Sequence, residues 1–450
     1  MERSFRPYAD NRRRFLDVLR ERGAAAVVFT AEEQFRNHDA EHRFRPDSDF
    51  YWLTGFREPG SALVLVPDRT EGESILFLRP RKPEEEVWTG RRLGIGPATE
   101  RLGVDEARSI DAVFDDLPEL LRGQTRIVSS LGKHPTRDRR LLEAAETLRR
   151  RARGGTKSPV EWIDPSVNLH ELRLIKSSDE IERMRRAAAI SREAHLAVMA
   201  AAAPGVNEAE LDALLDYTFR RRGGSGAAYT NIVAGGANAC ILHYVENDAP
   251  LPAGALCLVD AGCEFDFYAS DVTRTFPVSG QFDDAQRALY STVHAAQAAA
   301  LEAIRPGVTL DEIHAAATLQ LCEGLVEHGL LEGDAEACFD EGAHRRFMMH
   351  GTSHWLGLDV HDRGQYQRDG RPRPLEPGIA LTVEPGIYIP EGADDLEPRW
   401  RGIGIRIEDD VVVTADGAEN LTAEIPKDLE AVEAACAAPA PGPTSLAPMT

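Results

Sequence analysis

The sequence predicts an α/β protein of two domains, the second built from two copies of a helix-and-strand half. Three observations carry this. The chain has 450 residues, more than one ordinary core accommodates. Its first half interleaves strand-like apolar runs with polar helical stretches, and its second half repeats a pattern. Hydrophobic residues make up 42% and charged residues 28%, a globular rather than a disordered composition, so each domain can bury a core of its own.

The first domain is taken as residues 1–165. Its strand-like runs include Ala62-Leu63-Val64-Leu65-Val66 and Ser74-Ile75-Leu76-Phe77-Leu78. Residues 151–165 carry Gly154, Gly155, Pro159 and Pro165 among polar and charged neighbours, the composition of an interdomain linker. The second domain is taken as 166–430. Ser177 followed by Glu180 makes a capping box that opens a long Ala-rich helix running to Pro204-Gly205.

Two separate segments of this domain recur. Pro204-Gly205-Val206-Asn207 with Glu210-Leu211 returns as Pro306-Gly307-Val308-Thr309 with Glu312-Ile313, each a turn, an N-cap and an acid that starts a helix. Leu251, Gly254, Val259, Asp260 and Gly262 return at one constant spacing as Leu375, Gly378, Val383, Glu384 and Gly386. Acid falls on acid, so two halves folded about a pseudo-two-fold bring both acidic strand ends into one cleft. Residues 431–450, which include Pro439-Ala440-Pro441-Gly442-Pro443-Thr444, form a biased tail that is expected to be disordered.

The charge narrows the class of function. Lys plus Arg is 52 against 74 Asp plus Glu, a formal net charge of −22 that repels a phosphate backbone and argues against nucleic acid as a partner. The N-terminus has no apolar signal-peptide core, and no stretch is apolar enough to span a membrane, so a cytoplasmic protein without a membrane partner is expected. Cys240, Cys257, Cys263, Cys322, Cys338 and Cys436 form no Cys-x-x-Cys pair and read as reduced thiols.

Four acids stand where acids are costly. Asp260 closes Leu256-Cys257-Leu258-Val259, Glu384 follows Leu381-Thr382-Val383, Glu408 follows Ile403-Gly404-Ile405-Arg406-Ile407, and Asp271 sits just after a turn. A carboxylate at the inner end of an apolar strand needs neutralising, and four together repel one another unless cations intervene. Metal is the economical solution. His350, His354 and His361 lie within twelve residues and supply nitrogen ligands and acid/base groups. His350 and His354 have zincin spacing, but Gly351 occupies the place of that motif's glutamate. Glycines 351 and 357 point to a loop and strand instead.

The set Asp260, Asp271, His354, Glu384 and Glu408 resembles the five-ligand dinuclear site of the creatinase/methionine-aminopeptidase superfamily, the pita-bread metallopeptidases. His170-Glu171-Leu172-Arg173 with Lys176-Ser177, the stretch His350 to Asp362, and Val383-Glu384-Pro385-Gly386 are similar to its proline-specific branch. Arg36-Asn37-His38-Asp39 with Phe44 to Phe56 resembles the N-terminal domain of bacterial aminopeptidases P, with Pro46 standing where Gln is usual.

The resemblance implies a creatinase-like α/β domain followed by a pita-bread catalytic domain. It further implies release of the first residue from peptides with proline second, on two Mn²⁺ per subunit. Asp271 and Glu408 then bridge, Asp260 holds one ion, and His354 and Glu384 hold the other, with Glu384 managing the proton of the attacking water. His361 stabilises the oxyanion, and His243 and His350 position the scissile bond. Tyr366 and Arg406 are candidates for the proline-pocket wall and its support. The alternatives are an Xaa-Pro dipeptidase with the same metals and the metal-free uses of the fold. A homo-oligomer, dimer or tetramer, is expected, and the Trp88-Thr89-Gly90-Arg91-Arg92 segment is either a reach toward a neighbour's cleft or an exposed loop.

Overall fold

The apolar runs of the first half become neighbouring strands because both faces of their sheet are covered. The structure, a computed structural model, describes residues 5–151, 155 and 157–439, and its contacts divide the chain into Met1–Arg173 and Leu174–Thr450. In the first unit the strand order is Glu106–Ser109, Ser74–Leu78, Ala62–Leu65, Ala24–Phe29, Arg126–Val128 and Glu161–Ile163. The three central runs are buried at nearly every position, which is why they read as continuous rather than alternating. Val27, Val64 and Phe77 pack with Leu117 and Leu148 of the helices Val113–Leu120 and Pro135–Arg150.

The motif around residue 50 forms the helix Ser48–Thr54, capped by Asp47, whose side chain accepts from the Asp49 and Phe50 amides. Asp49 is buried and accepts from His170 Nε2 at 3.0 Å and from Arg173 Nη1 at 2.7 Å. These bonds tie residues as far as Arg173 into the first unit, beyond the boundary expected at 165.

Two expectations need correction. The stretch 151–165 is not all linker, since Glu161–Ile163 pairs in parallel with Arg126–Val128 and closes the sheet. Gly154 lies outside the described residues. The segment assigned to a tail from residue 431 begins as the helix Leu429–Cys436, whose Val432 is fully buried in the main core of the second unit. The apolar face at Val432 and Ala435 holds it there, and residues 440–450 lie outside the described residues.

The second unit opens as expected, with Ser177 and Glu180 forming a reciprocal capping box on the helix Ser178–Ala201. Its duplication is visible in the bonds. The Gly205 amide donates to Leu251 O at 2.9 Å and the Gly307 amide to Leu375 O at 2.9 Å. The return bonds, from Leu251 to Val206 O and from Leu375 to Val308 O, are 2.8 and 2.7 Å. The N-caps Asn207 and Thr309 each bridge a proline, Pro250 and Pro374. In one half Leu256–Asp260 runs antiparallel to Thr273–Pro277, and in the other Ala380–Val383 runs antiparallel to Asp409–Val413.

A buried clamp joins the halves behind the acidic strand ends. The Arg274 guanidinium donates to Thr273 O, to Glu408 O at 2.6 Å, and to Asp409 Oδ1 at 2.7 Å, with both charged side chains fully buried. Burial alone raises the Asp409 carboxyl, yet Arg274 and Lys427 hold it well below the usual range. Asp409→Ala leaves Arg274 buried without its counter-charge, which costs about 3–5 kcal/mol when one partner of a buried pair is removed. A clear drop in melting temperature is the expected outcome by calorimetry, and an unchanged melt contradicts the clamp.

Candidate metal centre

Each acid reaches the cleft because a strand ends there. Asp260 is the last residue of Leu256–Asp260 and pairs across to Thr273, whose carbonyl accepts the Glu408 amide at 3.0 Å. Asp271 precedes that strand, and its own amide donates to Asp410 Oδ1 at 3.0 Å. Glu384 follows Ala380–Val383 and is tied back to Thr352 O at 2.8 Å. Asp260, Asp271 and Glu408 are buried, and Glu384 is nearly so.

The structure brings the expected ligands together. Ligand atoms of Asp271, His354 and Glu408 all lie within 4.8 Å of one another. His354 Nε2 is 3.4 Å from Asp271 Oδ2 and 3.5 Å from Glu384 Oε1. His354 Nδ1 faces Trp355 O at 3.1 Å. A hydrogen held there leaves Nε2 as the lone-pair nitrogen aimed at the acids, the tautomer a metal ligand needs.

The electrostatics show what the carboxylates require. Burial first, then the charges of Asp271, Glu384 and Asp260, pushes Glu408 well above the carboxylate range. Burial raises Glu384 to about 7 against the pull of His354 and Arg406. Asp260 is raised by burial too, although Arg406 Nη2 at 2.6 Å and Tyr229 OH at 2.6 Å both donate to it. One guanidinium cannot compensate four carboxylates. An oxygen-rich donor set with a single imidazole fits hard or borderline divalent cations.

All but one of the remaining predicted residues surround a cavity of about 550 Å³ above this floor, lined by His243, His350, His361 and Arg406 as well as by the ligands. A larger depression of about 920 Å³ on the first unit brings no histidine, so size alone does not mark the site. His361 lies edge-on to His354 with ring centroids 4.4 Å apart, and its ring makes no hydrogen bond among the described residues. Burial, and then the charge of His354, lowers its pKa. His350 is engaged at both nitrogens, by Gly351 O at 2.7 Å and Tyr388 OH at 2.8 Å, and burial drives it down to about 4.

Arg406 is buried, and its guanidinium also donates to Tyr388 OH and Thr273 Oγ1, both at 3.0 Å, so it braces the floor. Tyr366 stands elsewhere. It does not line the cavity but stacks on Trp355 at 4.9 Å, behind His354, and takes the Trp355 amide on its hydroxyl. The sequence reading missed Tyr229, Tyr388 and Asp410, whose partners are distant in the chain. The placement of Asp410 directly after two acids, Glu408-Asp409, was the one local signal.

Comparison with known proteins follows the same lines. Residues 182–415 match the model of metallopeptidase family M24, and residues 8–128 match that of the aminopeptidase P N-terminal domain. The chain is 44% identical to the Xaa-Pro aminopeptidase of Escherichia coli over 94% of its own length and 96% of the relative's. It superposes on Pseudomonas aeruginosa aminopeptidase PepP with a TM-score of 0.94 at 46% identity, covering 97% of this chain and 99% of that one. A zinc-substituted E. coli aminopeptidase P with bound product gives 0.92 at 42% identity, with coverage of 97% and 99%.

The pKa shifts set a pH dependence for the metal-stripped protein. Burial lowers His354, but its bond to Asp271 and the Asp271 and Glu384 charges raise it to about 9, while Glu384 sits near 7. Both therefore hold protons that the unfolded chain releases: His354 makes stability fall as pH climbs from 6.5 towards about 9, and Glu384 acts in the same sense between 4.5 and about 7. Below that window His350 and His195, each lowered to about 4, act in the opposite sense. Melting temperatures across the window should decline in stripped protein and flatten in His354→Ala, and a flat profile in the parent overturns the assignment.

Proposed function

The chain belongs to metallopeptidase family M24 and is an Xaa-Pro aminopeptidase, and from that premise we propose how its residues divide the reaction. The single observation that carries the reading is the convergence of four buried carboxylates and His354 Nε2 on the floor of a cavity walled by imidazoles. Asp260, Asp271, His354, Glu384 and Glu408 would hold two divalent ions, and their oxygen-rich donor set would suit Mn²⁺, the metal the family resemblance implies. When bound, such a pair polarises the scissile carbonyl and lowers the pKa of water.

The chain's own groups carry the protons. Glu384 receives a proton from the attacking water as the water oxygen bonds to the scissile carbon. His361 donates to the carbonyl oxygen as it becomes an oxyanion, from a ring that makes no hydrogen bond among the described residues. His243 and His350 position the peptide across the cavity and guide the proton to the proline nitrogen as the carbon–nitrogen bond breaks. Proline leaves this amide without an N–H, so a site that recognises the ring and the carbonyl handles a bond that N–H-reading peptidases hold poorly. Arg406 fixes Asp260 beneath, and Tyr366 fixes the Trp355 segment that carries His354.

Two further proposals concern setting. The six free cysteines support a reducing compartment, and the cytoplasm is the setting proposed. Among the described residues no helix is long and apolar enough to cross a membrane. Val87 and Trp88 are 80% and 87% exposed on Pro83–Thr89, a helix with no buried residue, and a second copy of the chain is the proposed cover.

Hydrolysis of an Xaa-Pro-Yaa series should vanish on chelation and return with Mn²⁺, and longer peptides should be cleaved as well as Xaa-Pro dipeptides. Full activity in metal-free protein defeats the metal reading, and cleavage of dipeptides alone marks a dipeptidase. His361→Ala should keep both metals and its substrate affinity while kcat falls by about 10² to 10³, the usual cost of one oxyanion donor. His354→Ala should lose metal first. Elemental analysis with steady-state kinetics separates them, and a His361→Ala enzyme that lacks metal or turns over normally reverses the roles.

A further inference from the structure

The two halves share a scaffold and differ at one position that the scaffold itself does not explain. The residue after the first N-cap is Glu208, and the residue after the second is Leu310. Leu310 does what the position asks in a helix of this kind and packs against the neighbouring apolar cluster. Glu208 is fully buried, where an unpaired carboxylate is costly.

Four donors surround its carboxylate. Oε1 accepts from the Gly235 amide at 2.8 Å and from Asn238 Nδ2 at 3.0 Å. Oε2 accepts from Tyr244 OH at 2.8 Å and from the Ala249 amide at 3.0 Å. All four belong to one stretch, residues 235–249, which leaves the strand Ile232–Gly235 and returns to the repeated turn. His243 lies inside that stretch, beside Tyr244, and lines the cavity.

The cleft imidazoles are secured in different ways. His350 is bonded at both nitrogens, and His354 through Nδ1. In the second half the corresponding loop is fastened by the Trp355–Leu381 bridge and by the buried Lys176–Asp362 pair at 2.9 Å. The ring of His243 makes no hydrogen bond among the described residues, so its place follows from the place of its loop. Asn247 pins the loop's far end, accepting from the Val233 amide and donating to Asn231 O. Among the described residues, Glu208 is the buried charged group that grips the loop next to His243, through Tyr244.

We propose that Glu208 is a positioning residue for catalysis, holding the His243 loop in register with the metal floor. The inference rests on the role given to His243 above. Glutamine cannot replace it, because either amide orientation turns an NH₂ group toward a backbone N–H, that of Gly235 or that of Ala249. The site therefore needs an acceptor-only group of this length.

Glu208→Gln, made in the Mn²⁺-loaded enzyme, should lower kcat/KM for an Xaa-Pro-Yaa tripeptide about ten-fold, but only about two-fold further in a His243→Ala background, the coupling expected of residues acting as one unit. In a His361→Ala background the full loss should persist. Tyr244→Phe removes one of the four donors, should show the same background dependence on a smaller scale, and carries the test if Glu208→Gln does not fold. Equal losses in every background mean a general structural role and overturn the proposal, as does no loss in either variant. If His243→Ala alone turns over at the parental rate, the role of His243 itself is wrong and the inference falls with it.

Discussion

Burying four carboxylates within reach of one another is the constraint on which the rest of the second unit depends. Each of Asp260, Asp271, Glu384 and Glu408 is delivered by a strand end, so the strands must stop in register at one place, and the duplicated turns at Gly205 and Gly307 start both halves the same way. The repulsion is answered in part by protein groups. Arg406 and Tyr229 donate to Asp260, Thr273 Oγ1 donates to Glu408, and Arg274 holds the Thr273 and Glu408 carbonyls from behind. What these leave uncompensated is a demand for cations, and that demand is the origin of the chemistry.

The imidazoles above the floor differ because their second nitrogens differ. His354 gives its Nδ1 to the backbone and turns Nε2 to the acids, which suits a ligand. His350 is spent on Gly351 and Tyr388, which suits a fixed wall. His361 sits at the edge with its ring against His354, where a donor can meet substrate. One residue type thus performs several tasks, and the partner chosen for each ring selects the task.

Much of this was legible in the sequence, for reasons that are local. A glycine turn followed by an N-cap and an acid three residues later has a fixed geometry, so the duplication could be read and recurs in matching bonds at Leu251 and Leu375. An acid closing an apolar run signals its own cost, which exposed Asp260, Glu384 and Glu408, while Asp271 was marked by its place just after a turn. What escaped depends on contacts that no local pattern encodes. Tyr229 meets Asp260, Arg274 meets Asp409, and Glu208 meets Tyr244 across long stretches of chain. Tyr366 was assigned to a pocket wall but stacks behind His354, because its ring found Trp355. The strand Glu161–Ile163 is three residues long in a Pro- and Gly-rich stretch, too short for a periodic signal, and the helix Leu429–Cys436 was obscured by the biased composition that follows it.

The central claim is that Glu384, Glu408 and His354, each raised above its ordinary pKa, give up protons as divalent cations take their place. Calorimetric titration of Mn²⁺ into chelator-stripped protein near neutral pH, run in buffers of different ionisation enthalpy, counts those protons directly. With Glu384 raised to about 7, His354 to about 9 and Glu408 above the carboxylate range, binding is expected to release protons, so the heats should differ between buffers in proportion to buffer ionisation enthalpy. Identical heats in every buffer would mean that the cluster was already deprotonated, and would contradict the account at its base.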